Sequence, residues 1–75
     1  MEVAEVRKQW GENVRRARDG KLTQEELAAA VGCSQAAISR IERGEQELTT
    51  KLALAIAAQL QTPYGELFGV NEVAS

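Results

Sequence analysis

The stretch QEELAAAVGCSQAAISRIERG, residues Gln24–Gly44, decides the fold. Thr23 stands just before it, and Thr23 with Glu26 makes a capping box. In such a box the hydroxyl accepts from the amide three residues on, and the carboxylate reaches back to the cap. Leu27, Ala28 and Val31 supply the buried face of the helix that follows. Gly32 permits the positive φ of a tight turn and stops that helix. Ser34 is a good N-cap for a second helix, from Gln35 to about Arg43, anchored by Ile38 and Ile41 and ended by Gly44. Ala28 is small where the two helices press together.

Two short helices meeting at a glycine bend form a helix-turn-helix pattern, whose second helix can lie in a DNA major groove. Upstream, Val3, Val6, Trp10, Val14 and Ala17 recur at spacings of three and four, which predicts a first helix over about Val3–Arg18. Trp10 lies on that stripe and reads as core, not as a platform for stacking bases. Arg7, Lys8, Arg15 and Arg16 fall on the other faces and read as solvated. Asp19-Gly20 ends the helix, with Gly20 suited to a left-handed cap. Downstream, Thr49 or Thr50 caps a fourth helix that runs to about Gln61. A short fifth helix is capped by Thr62, with Pro63 at its first position and Leu67 and Phe68 facing inward. The chain is therefore expected to be all-α with five helices, one domain over residues 1–69 and a short frayed tail over residues 70–75.

Composition agrees and excludes several functions. The chain has 75 residues, no histidine and one cysteine, Cys33. An intrachain disulfide is impossible, and neither a metal site nor an enzyme centre suggests itself. Cys33 is expected in a buried position of the turn, as a small hydrophobe. No apolar run reaches membrane-spanning length and no secretory signal is visible, so a cytoplasmic protein without cofactor or small-molecule substrate is expected. The net charge is −2. Its distribution is uneven: residues 1–44 carry eight basic and seven acidic side chains, a net of +1, and residues 45–75 carry one basic and four acidic, a net of −3. Positive charge is concentrated in the half that holds the motif.

The motif resembles the helix-turn-helix of the phage lambda Cro and repressor family, also called the XRE family. VRRARDGKLTQ, residues 14–24, resembles the family's first-helix ending, and LAIAAQLQTPYGELFG, residues 54–69, its fourth and fifth helices. The resemblance spans about Val6–Gly69 and implies a lambda-repressor-like DNA-binding domain that reads duplex DNA. It implies roles as well. Gln24 touches a phosphate and steadies Gln35, whose amide can read adenine by a bidentate pair. Ala36 sits beside Gln35 and can meet a thymine methyl. Ser39 and Arg40 project from the next turn, Arg40 toward either a guanine or a phosphate. Arg43 is expected on a phosphate, and Ser34 with the helix-start amides can hold another. Glu42 is expected to pair with Arg18, with Arg16 as the alternative, locking the recognition helix to the scaffold.

The loop Glu45-Gln46-Glu47 is acidic where many relatives are basic. It implies weak non-specific binding with a modest salt slope, or a loop that tilts away from the duplex. The fourth helix is apolar almost all round. Leu52, Ile56 and Leu60 suffice for a core, which leaves Leu54, Ala55, Ala57 and Ala58. That points to a homodimer through this second face and Leu67, Phe68, Val70 and Val73, binding a palindromic operator. A stand-alone Cro-like phage repressor or immunity switch is the leading expectation, with no room for a second domain. A restriction-modification controller, or an antitoxin-like module holding a protein partner, is the alternative.

Overall fold

Helix α1 spans Val3–Arg18, and its apolar stripe explains its placement. Val14 is fully buried, while Trp10 and Ala17 are half-buried against the core. The computed structural model describes the backbone of residues 3–69 and the side chains of residues 5–69. The Val3 side chain and the expected tail, with Val70 and Val73, lie outside the described residues. Within them the architecture is five helices: α1, then α2 at Gln24–Val31, α3 at Gln35–Glu42, α4 at Thr50–Leu60 and α5 at Tyr64–Phe68.

Each short helix starts at a side-chain cap or at proline. The Thr23 hydroxyl accepts from the Glu26 amide at 3.0 Å and the Glu26 carboxylate accepts from the Thr23 amide at 2.9 Å, a complete capping box. Such a cap stabilises a helix by about 1 kcal/mol. Ser34 accepts from Ala37 at 3.1 Å, and Thr49, not Thr50, accepts from Leu52 at 3.2 Å. Helix α5 begins one residue later than its sequence suggests. Pro63 occupies the cap position, and Thr62 instead donates to the Leu60 carbonyl at 3.0 Å, closing the end of α4. Gly32 takes φ 81°, so the chain turns between α2 and α3 without the strain a Cβ would bring.

One core gathers all five helices: Val14, Leu27, Ala28, Ile38, Ile41, Ala53, Ile56, Ala57, Leu60, Leu67 and Phe68. Its α4 contribution differs from expectation. Ala53 and Ala57 are buried with Ile56 and Leu60, whereas Leu52 is half-buried, because small side chains let α4 approach closely. Leu54 and Ala58 do remain exposed. Leu67 and Phe68 are spent in this core, where Phe68 meets Trp10 edge-on at 6.2 Å. They are therefore not free to form a dimer face. Cys33 is half-buried, not fully buried, and burial still pushes its thiol pKa up.

Gly11 sits in the middle of α1, where glycine disfavours helix by about 1 kcal/mol relative to alanine. A Cβ there would collide with the backbone carbonyls of Ile41 and Glu42. The missing side chain lets the end of α3 rest directly on α1. Two polar contacts tie the remaining seams. Asn13 donates to the Leu67 carbonyl at 2.9 Å, and Lys21 donates to the Leu60 carbonyl at 3.0 Å, a cation at the negative end of α4.

Candidate nucleic-acid interface

Helix α3 divides cleanly. Ala37, Ile38, Ile41 and Glu42 are buried. Gln35, Ala36, Arg40 and Arg43 are exposed and Ser39 is half-buried. Those five residues are spaced to share one outward face of the helix. It carries two guanidinium groups, an amide, a hydroxyl and a methyl, which is chemistry suited to base edges and phosphates. Ser34 is exposed at the start of the helix, its hydroxyl accepting from Ala37.

A buried relay fixes the start of this face. The Glu42 side chain is 3% exposed, so its carboxylate must be compensated. Arg18 donates to it twice, Nε to Oε2 at 2.6 Å and Nη2 to Oε1 at 3.2 Å. Arg18 Nη1 donates to the Leu22 carbonyl at 3.0 Å, so every guanidinium nitrogen of Arg18 has a partner. The hydrogen bond to Glu42 raises the Arg18 pKa still further. Arg18 and not Arg16 is the partner; Arg16 turns to Asn13 Oδ1 at 3.4 Å. Gln24 Nε2 then donates to Glu42 Oε1 at 2.9 Å, and Gln35 Nε2 donates to Gln24 Oε1 at 2.8 Å.

The direction of the relay follows from the carboxylate. An ionised carboxylate only accepts, so Gln24 must turn its nitrogen to Glu42 and its oxygen to Gln35. Gln35 must then donate. Its second Nε2 proton and its Oε1 have no hydrogen-bond partner among the described residues, and the residue is exposed. One donor and one acceptor side by side on an exposed amide match the N7 acceptor and N6 donor of adenine.

The far end of α3 is held differently. The loop folds back onto the helix, with the Glu45 amide donating to the Arg40 carbonyl at 2.8 Å. Arg40 Nε donates to Gln46 Oε1 at 2.9 Å. Arg43 pairs with Glu45 at 3.2 Å, with both side chains more than half exposed, and its Nη1 donates to Ser39 Oγ. The acidic loop thus engages the cations of α3. Sequence reasoning missed Gln46 and Gly11. Gln46 gave no signal, since its contact depends on the loop path. A glycine inside a helical stripe was a visible clue to a close approach.

Among the described residues no helix is long and apolar enough to cross a membrane, and no group of residues could hold a metal ion. Residues 14–67 match the family model described as Helix-turn-helix. The structure is similar to the DNA-binding domain of the P22 C2 repressor, at 37% identity and TM-score 0.72, covering 80% of this chain and 82% of that one. It is similar to the restriction-modification controller protein C.AhdI from Aeromonas hydrophila, at 28% identity and TM-score 0.78, covering 83% and 96%. It is also similar to the clp gene regulator ClgR from Corynebacterium glutamicum, at 28% identity and TM-score 0.79, covering 83% and 67%. No curated protein matches the sequence significantly.

Proposed function

The chain belongs to the helix-turn-helix family of DNA-binding transcriptional regulators of the Cro and C1 type, and on that premise we propose that it acts as a phage-type repressor or immunity switch reading one operator through α3. The observation that carries this reading is the relay from Arg18 through Glu42 and Gln24 to Gln35. It pre-sets the Gln35 amide for an adenine before DNA arrives, so little side-chain freedom is lost on binding. Ala36 lies beside Gln35 against the neighbouring base, and Ser39 and Arg40 follow one turn on. Gln24, Ser34 and Arg43 contact phosphates and set the register of the helix.

A single module of this size covers a small DNA interface. Two copies on a palindromic operator read half-sites about one helical turn apart. Exposed Leu54, with Ala58 one turn further along α4, supports a homodimer face. A monomeric mass in sedimentation at high micromolar concentration would remove it. The protein acts by binding alone, without a catalytic step, in the cytoplasm. The likeness to C.AhdI favours a second role, control of a restriction-modification system, by the same mode of reading.

Selection of bound sites from a random duplex library tests the reading. Enrichment of a palindrome with an adenine in each half is expected. Weak, salt-sensitive binding without enrichment would overturn it and favour a helix-turn-helix scaffold that holds a protein partner.

A further inference from the structure

Arg40 and Arg43 share the exposed face of α3, yet the loop treats them in opposite ways. Arg43 is paired with the carboxylate of Glu45 and drawn to Ser39, so its charge is offset within the protein. Arg40 is held by the neutral amide oxygen of Gln46, so its charge is kept. Gln46 is half-buried, and the backbone bond from Glu45 to the Arg40 carbonyl fixes the loop at Arg40's own position.

We propose that Gln46 is a positioning residue that aims Arg40 at a guanine in the major groove. This rests on α3 being the recognition helix. Gln46 Oε1 engages Nε alone, and among the described residues Nη1 and Nη2 have no hydrogen-bond partner, which leaves them as a fork. That fork matches the O6 and N7 acceptors of guanine. An arginine side chain is long and loses much rotamer freedom on docking; a bond at Nε restrains it beforehand. A phosphate offers its oxygens to a guanidinium fork from several directions, whereas guanine offers O6 and N7 in one plane, so aiming matters more for the base. The loop that adds negative charge near the duplex thereby also adds sequence discrimination.

The test uses the site selected by the wild-type protein. Competition binding compares that duplex with one in which the guanine opposite Arg40 is replaced by adenine. Gln46→Ala is expected to reduce the guanine preference roughly 5-fold, a part of what a bidentate pair supplies. The preference at the adenine read by Gln35 stays as in the wild type, a separation that general loosening of the fold would not produce. Gln46→Glu keeps an acceptor at the same place. It is expected to retain the guanine preference while lowering affinity for all duplexes. A preference unmoved by Gln46→Ala, an equal loss at both base pairs, a Gln46→Glu protein that behaves like Gln46→Ala, or a selected site without guanine at that position would each overturn the proposal. If Gln35→Ala also changes no base preference, α3 is not the reader and the function itself fails; a Gln35 effect without a Gln46 effect rejects this inference alone.

Discussion

The two ends of the α3 face are held by opposite kinds of interaction. At its start, Gln35 hangs from a relay rooted in the buried Arg18–Glu42 pair. At its end, Arg40 and Arg43 lean on the exposed loop through Gln46 and Glu45. A buried ion pair adds little net stability over apolar packing, yet losing one partner is severe, because the other charge is stranded. An exposed pair is weak in both respects. The first arrangement fixes a position; the second adjusts charge and aim at small energetic cost. Accuracy and tunability are thus separated along a helix of eight residues.

Glu42→Ala strikes the fixed end hardest. It strands the Arg18 guanidinium and is expected to lower stability by about 3–5 kcal/mol in urea unfolding. A loss below about 1 kcal/mol would show that the relay is no anchor. Gly11→Ala tests the backbone seat of Glu42, the root of the relay. The added methyl must push α1 off the carbonyls of Ile41 and Glu42, and about 1–3 kcal/mol should be lost in thermal unfolding. An unchanged melting temperature would mean that α1 and α3 are not closely seated.

Glu45→Gln probes the adjustable end. Stability should change by less than about 0.5 kcal/mol. With its charge no longer offset by Glu45, Arg43 should count more fully at its phosphate and steepen the salt dependence of non-specific DNA binding, by about one counterion at most. An unchanged slope would show that the Arg43–Glu45 pair does not persist in solution. The smallest effect concerns Cys33, in the turn before the fixed end. Burial raises its thiol pKa, so at neutral pH it holds less thiolate than a free cysteine, and the deficit disappears once pH exceeds the raised value. Alkylation of the native protein at neutral pH should be slower than of the urea-unfolded chain. Equal rates would mean that the turn opens readily.

Much of this fold is legible in the sequence because its elements are punctuated by local chemistry. Thr23 with Glu26, Ser34 and Gly32 act within a few residues, so the ends of α2 and α3 follow directly. What was not legible depends on distance in space. The close seating of Ala53 and Ala57 could not be told from that of Leu52, because alanine fits either face of a helix. That Leu67 and Phe68 face inward was legible; that they keep no surface for a dimer depends on where α5 docks, against Trp10 and Asn13. The outward face of α3 followed from periodicity, and the Arg18–Glu42 partnership from family resemblance. The Gln46 contact followed from neither, because a loop amide carries no periodic signal.

The most direct test of base reading is a cycle at one position. Affinities of the wild type and Gln35→Ala are measured for the selected operator and for the same duplex with the adenine opposite Gln35 replaced. Gln35→Ala should lose about 1–3 kcal/mol on the operator, and the base change should then cost it almost nothing more. Unchanged affinity of Gln35→Ala for the operator, or a full penalty for the base change in its absence, would contradict reading of DNA through the pre-set Gln35 amide.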